Sequence, residues 1–220
     1  MNFLQLCQRL AAEAQIAGTV SSVSGQSGIL KNVVDWVAES DRRVQLEFDD
    51  WDFRWLDFSF STVAGTRDYP LSALGLRHVN LDSLRLHTGD SSLAWAPTPY
   101  TFLRWGQRYR PPRYDPADTG KPTAATVTPP NSLRLSPTPD AAYTVSGFGV
   151  REVVLLEGNA DEPLYPVAYH LLPVWRALMD WGGYFNASEA QARGAQEYEL
   201  LLRKAVRDLL PFREDVVRCE

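Results

Sequence analysis

The chain has 220 residues and a formal net charge of −5, with 27 acidic against 22 basic side chains, so it lacks the basic excess that phosphate attraction requires, and sequence-specific nucleic-acid binding is disfavoured. Hydrophobic residues at 45% and charged residues at 22% supply enough apolar area for one core, or one core with a satellite. The opening Met1-Asn2-Phe3-Leu4-Gln5-Leu6-Cys7-Gln8-Arg9 is too polar for a signal-peptide core and no stretch reaches membrane-spanning length, which points to manufacture in a cytoplasm and no membrane anchor.

Phe3, Leu6, Cys7, Leu10, Ala11 and Ala14 recur at helical spacing, predicting a helix over about residues 2–16 that Gly18 stops. The Gly-Ser segment Thr19–Gly28 reads as a loop. A second stripe, Ile29, Val33, Trp36, Val37, Val44, Phe48 and Trp51, predicts a long amphipathic helix over about 28–51. Lys31, Glu39, Asp41, Arg42 and Glu47 occupy its expected polar face.

At Leu56, Phe58 and Phe60 the period changes to two, opening a β-rich region. Further strands are expected at Arg67–Leu71, Ser83–His87, Thr123–Thr128, Ser132–Ser136 and Tyr143–Phe148. Thr98-Pro99 resembles a helix start, giving a short helix to about Gly106. Most of the fifteen prolines fall between Pro97 and Pro139, so this region is expected to be loop-rich and antiparallel. Helical spacing returns at Val167, Leu171, Val174, Leu178 and Phe185, with Pro173 expected to kink the helix. Asn186 followed by Glu189 resembles a capping box for a last helix that ends at Pro211.

This order predicts an α+β chain in which residues 1–53 and 164–212 form a helical bundle. Residues 54–163 form an antiparallel β-sandwich-like insertion with one short helix and long loops, and 213–220 a C-terminal tail.

Few constellations carry chemistry. Asp49, Asp50, Asp52 and Asp57 lie among Trp51, Phe53 and Trp55, which in a hydrolase would be paired carboxylates beside aromatic platforms; a helix end followed by the polar side of a strand explains them better. His78, His87 and His170 have no metal-ligand spacing, and His170 interrupts an apolar helix, where a ring needs a hydrogen-bonding partner. Nucleophile elbows, phosphate loops and dinucleotide-binding glycine patterns are absent from the sequence, so no enzyme activity, cofactor or metal is expected. Cys7 and Cys219 read as two reduced thiols.

Aromatic and basic residues alternate from Tyr100 to Tyr114. Arg104, Trp105, Arg108, Tyr109, Arg110, Arg113 and Tyr114 are therefore candidate interface residues, with Phe212 and Arg213 added from the C-terminal end. Solvated loop and local nucleic-acid contact are the other readings of the Tyr100–Tyr114 segment.

The feature order resembles the head-to-tail adaptor proteins of short-tailed and related tailed bacteriophages, a group that includes the tail tubular protein A of phage T7. The opening Phe3–Leu10 helix, Val33-Val34-Asp35-Trp36-Val37, Trp55-Leu56-Asp57-Phe58 and Tyr69-Pro70-Leu71 carry the likeness. It continues through Asp82-Ser83-Leu84, the Leu133–Asp140 turn and Pro166-Val167-Ala168-Tyr169-His170-Leu171-Leu172. The resemblance implies a non-enzymatic virion protein of the neck or tail, assembled in the host cytoplasm as a homo-oligomeric ring of twelve subunits. Its implied partners are the portal protein and tail or nozzle proteins, with genomic DNA passing non-specifically through the lumen. The alternatives are a carbohydrate-recognition or receptor-binding module of a phage tail, and a hydrolase using Asp49, Asp50 or Asp52.

Overall fold

Asn2 sets the first helix. Its side chain accepts from the Gln5 amide at 3.0 Å, and the Gln5 side chain accepts from the Asn2 amide at 3.0 Å, so two otherwise orphaned donors are satisfied at the start of α1 (Phe3–Glu13). The end differs from the sequence expectation. Gln15, left-handed at φ 53°, closes the helix ahead of Gly18, and the Ile16 amide donates to the Ala11 carbonyl at 2.9 Å. The computed structural model describes residues 1–88, 94–100 and 118–210.

The second helix, α2 (Gly28–Glu47), stops short of residue 51 because Phe48 is extended. The turn buries Trp51 completely and lets its indole donate to the Val44 carbonyl at 3.0 Å. Asp41, expected on the polar face, is 1% exposed and hydrogen-bonded inside.

Near the C-terminal end, a single 3₁₀ turn (Val167–Tyr169) precedes α3 (Leu172–Tyr184). Pro173 falls in the first turn of α3, where no backbone donor is needed, so the expected kink within a continuous helix does not arise. Asn186 is not an N-cap either: with φ 54° it closes α3, and the following Ala187 amide donates to the Gly182 carbonyl at 2.8 Å. The last helix, α4 (Ser188–Leu209), starts without a side-chain cap.

The chain divides into two compact units, one of Met1–Arg54 with Val153–Glu220 and one of Trp55–Glu152. In the first, α3 packs against α1, α2 and α4 around a core that includes Phe3, Leu6, Leu10, Val33, Val37, Trp51 and Leu178. Residues 153–163, counted with the insertion on sequence pattern, pack with these helices. Leu156 joins their core, and the Gln45 amide side chain bonds both the amide (3.1 Å) and the carbonyl (2.8 Å) of Val154.

In the second unit β1 (Trp55–Ser61) pairs antiparallel with β10 (Thr144–Arg151), from Trp55 opposite Val150 to Ser61 opposite Thr144. The far side of β10 carries β3 (Leu76–Val79) and β4 (Arg85–His87). A second sheet has the order β2 (Asp68–Pro70), β8 (Ser132–Ser136), β7 (Ala124–Thr128) and β5 (Thr98–Pro99). Leu84, Leu86, Phe58 and Val145 from the first sheet and its connections share one core with Ala125, Leu133 and Leu135 from the second.

Two expectations are corrected here. Thr98-Pro99 forms β5, with the Thr98 amide donating to Thr123 and the Tyr100 amide to Ala125, so the expected helix does not open there; its remainder, residues 101–106, lies outside the described residues. The region is also not wholly antiparallel: β5 runs parallel to β7, and β6 (Thr119–Gly120) runs parallel to β9 (Thr138–Pro139). These pairings join segments that are distant in sequence, so no tight hairpin constrains their direction.

Candidate interaction surface

The candidate interface residues Arg104, Trp105, Arg108, Tyr109, Arg110, Arg113, Tyr114, Phe212 and Arg213 lie outside the described residues, as does Cys219. The described residues add surface features that the sequence reading did not single out. At the end of α3, Tyr184 is 68% exposed and Phe185 46% exposed, and they touch edge to face with ring centroids 4.8 Å apart. Trp36 of α2 lies 5.8 Å from Tyr184, and Trp181 lies 5.4 Å from Phe185, so four aromatic rings meet at one surface of the helical unit. Side chains of this kind dominate protein interfaces because they bury large area at little entropic cost. The sequence signal was present in Trp181-Gly182-Gly183-Tyr184-Phe185, but helical spacing assigned Phe185 inward. The left-handed Asn186 ends the helix there and leaves the ring at its rim.

A second exposed position is Val167, 69% exposed on the turn before α3. In the β unit, Trp55 and Phe148 meet at 5.4 Å beside Asp57, lining an open groove of about 300 Å³.

Within the acidic cluster Trp51 offers no exposed aromatic platform. Trp51 is buried, and Asp49 lies 3.8 Å from Arg54, which is 0% exposed and donates to the Gln45 carbonyl at 3.0 Å. Among the described residues no group of three His, Cys, Asp or Glu side chains could hold a metal ion, and no helix is long and apolar enough to cross a membrane. His170 is 2% exposed; its Nε2 bonds the Tyr165 carbonyl at 2.9 Å and its Nδ1 meets the Met1 backbone nitrogen at 2.6 Å. The ring is thus a packing element that ties the first residue to the turn before α3.

The buried carboxylate of Asp41 is structural in its setting. Asp41 accepts from the Tyr165 hydroxyl at 2.7 Å and from the Gln45 side chain at 2.7 Å, and burial pushes its pKa up to about 6. Burial and the neighbouring Asp41 charge raise the Tyr165 hydroxyl well above its ordinary value. Each partner is occupied, and the cluster fastens α2 to the returning chain.

A family model described as SU10 adaptor protein matches residues 1–218. No curated protein matches the sequence.

Proposed function

Because the chain belongs to the SU10 adaptor protein family, a family of structural bacteriophage adaptor proteins, we propose that it assembles as a ring that joins the portal of the phage head to the tail. The observation that carries this reading is the family match over residues 1–218, which takes in both compact units. On this reading the protein is a virion neck component and not an enzyme, assembled in the host cytoplasm. Its ring of twelve copies contacts the portal above and tail or nozzle proteins below. The chain is then a counterpart of the tail tubular protein A of phage T7. The exposed rings of Tyr184 and Phe185, set beside the half-buried Trp36 and Trp181, support the reading, since a lone subunit has no use for such an aromatic surface. The segment Tyr100–Tyr114, with Arg104 and Trp105, takes part in the same contacts, as do Phe212 and Arg213.

A net charge of −5 per copy suits a passage through which DNA slides without adhering. The test is the mass of the assembly with and without portal protein, followed by cryo-EM of the virion neck. A closed ring at the portal is the expected result; absence from the neck, or an isolated copy without like neighbours, overturns it. The Trp55–Phe148 pair beside Asp57 favours a second reading, a carbohydrate-recognition module, which sugar binding by a monomer that stays off the portal would support.

A further inference from the structure

Where α4 ends, the helical unit opens into a pocket of about 450 Å³. Phe53, Pro163, Leu164, Val167 and Leu209 give it an apolar lining. Among the described residues of this unit Val167 is the most exposed large apolar side chain, at 69%. Asp52 and Glu162 add two carboxylates, both exposed and without a hydrogen bond or ion pair among the described residues. The site therefore suits an apolar side chain joined to a cation.

The chain carries such a pair three and four residues beyond Leu209, at Phe212 and Arg213. Leu210 is extended, with φ −95° and ψ 135°, as a residue before proline should be, so the helix ends beside the pocket that Leu209 lines. Three residues span at most about 10 Å, enough to reach a pocket that Leu209 itself lines and too short to reach far beyond it. The tether also gives this occupant an effective concentration in the millimolar range, which a free partner at micromolar concentration does not match.

We propose that this pocket is the seat of the chain's own Phe212 and Arg213, the ring against Leu164 and Val167 and the guanidinium between Asp52 and Glu162. The seat stands independently of the ring assignment. It makes Phe212 a latch on the turn that carries Val167, and any partner that recruits the C-terminal segment must first displace it.

Limited trypsin digestion of the full chain, followed by mass spectrometry, reads this directly, because Arg213 is itself a cleavage site and Arg218 serves as an internal control. Cleavage that tracks the open population should rise about tenfold at Arg213 in Val167→Asp, in Glu162→Arg and in Phe212→Ala, with the Arg218 bond unchanged. Val167 and Glu162 are exposed, so these variants keep the fold, which circular dichroism verifies. Rates at Arg213 equal in the wild type and all three variants overturn the proposal. Protection that vanishes on dilution from about 100 to about 1 μM also overturns it, since the occupant then comes from a second copy. The assay uses the isolated protein without portal, so its failure leaves the ring reading untouched.

Discussion

Gly194 of α4 lies against Trp175 of α3 so closely that an added Cβ would stand 2.9 Å from the Trp175 carbonyl oxygen, and 2.9 Å from the Met179 amide nitrogen. Gly182 repeats the arrangement from the other helix, where a Cβ would meet the Gln191 amide nitrogen at 2.6 Å. Both obstacles are backbone, which cannot rotate away.

Alanine at either position should therefore destabilise the protein although it is the better helix former. The propensity gain is about 1 kcal/mol, whereas separating two packed helices costs about 1–3 kcal/mol and the glycine's close approach is lost as well. Gly194→Ala and Gly182→Ala should each lower the thermal midpoint by several degrees, roughly 2–4 °C per kcal/mol for a chain of this size. A midpoint at or above the wild-type value would show that the helices can part without penalty.

Asp41 gives the stability a pH dependence of defined sign. Its folded pKa, about 6, is above the ordinary 3.8, so the folded state holds the proton more tightly. This contribution is complete below about pH 4 and is lost as pH rises through 6, about 2–3 kcal/mol across the window. Glu39, lowered to about 2 chiefly by the Arg42 hydrogen bond, is exposed and acts in the opposite direction, so the informative quantity is a difference. Urea unfolding of the wild type minus that of Asp41→Asn should show stability falling from pH 4 to pH 7. The asparagine itself faces the Gln45 amide donor, whose orientation Val154 fixes, and this shifts the variant at every pH without adding a slope.

Cys7 is fully buried, and desolvation raises its thiol pKa to about 12. In a Cys219→Ser background, a thiol-specific reagent should label Cys7 only at the rate of global unfolding. Labelling within seconds under native conditions would place α1 outside the stable core.

Tyr184→Asp should leave the subunit's own stability within about 0.5 kcal/mol, since the side chain is 68% exposed, yet weaken ring assembly on the portal. Arg104→Ala with Trp105→Ala should also weaken ring assembly. Assembly at wild-type yield in all of these variants removes both surfaces from the contact.

Much of the helical unit was legible because apolar spacing survives as burial: Phe3, Leu6, Cys7 and Leu10 are all 2% exposed or less. Helix ends were less so. Gln15 and Asn186 are left-handed terminators chosen by the turn that follows, a property invisible to periodicity, and Asp41 looked like a surface residue because its partner Tyr165 lies 124 positions away. In the β unit β1, β4, β8 and β10 showed alternation, but β3 did not. Its Leu76 is buried and its His78 exposed although two residues apart, where an irregularity at Val150–Arg151 breaks the register. The interaction surface was half legible: aromatic residues were visible, but which of them face outward depended on where α3 stopped.

The pairing of Trp55 with Val150 has a consequence for how such a chain can diversify. Opposed residues of antiparallel strands lie about 5 Å apart, so the β unit, Trp55–Glu152, has its two ends close together at one edge of its first sheet. A unit whose own ends lie close together can be cut out or replaced as one piece, Arg54 being joined to Val153 through a few glycines.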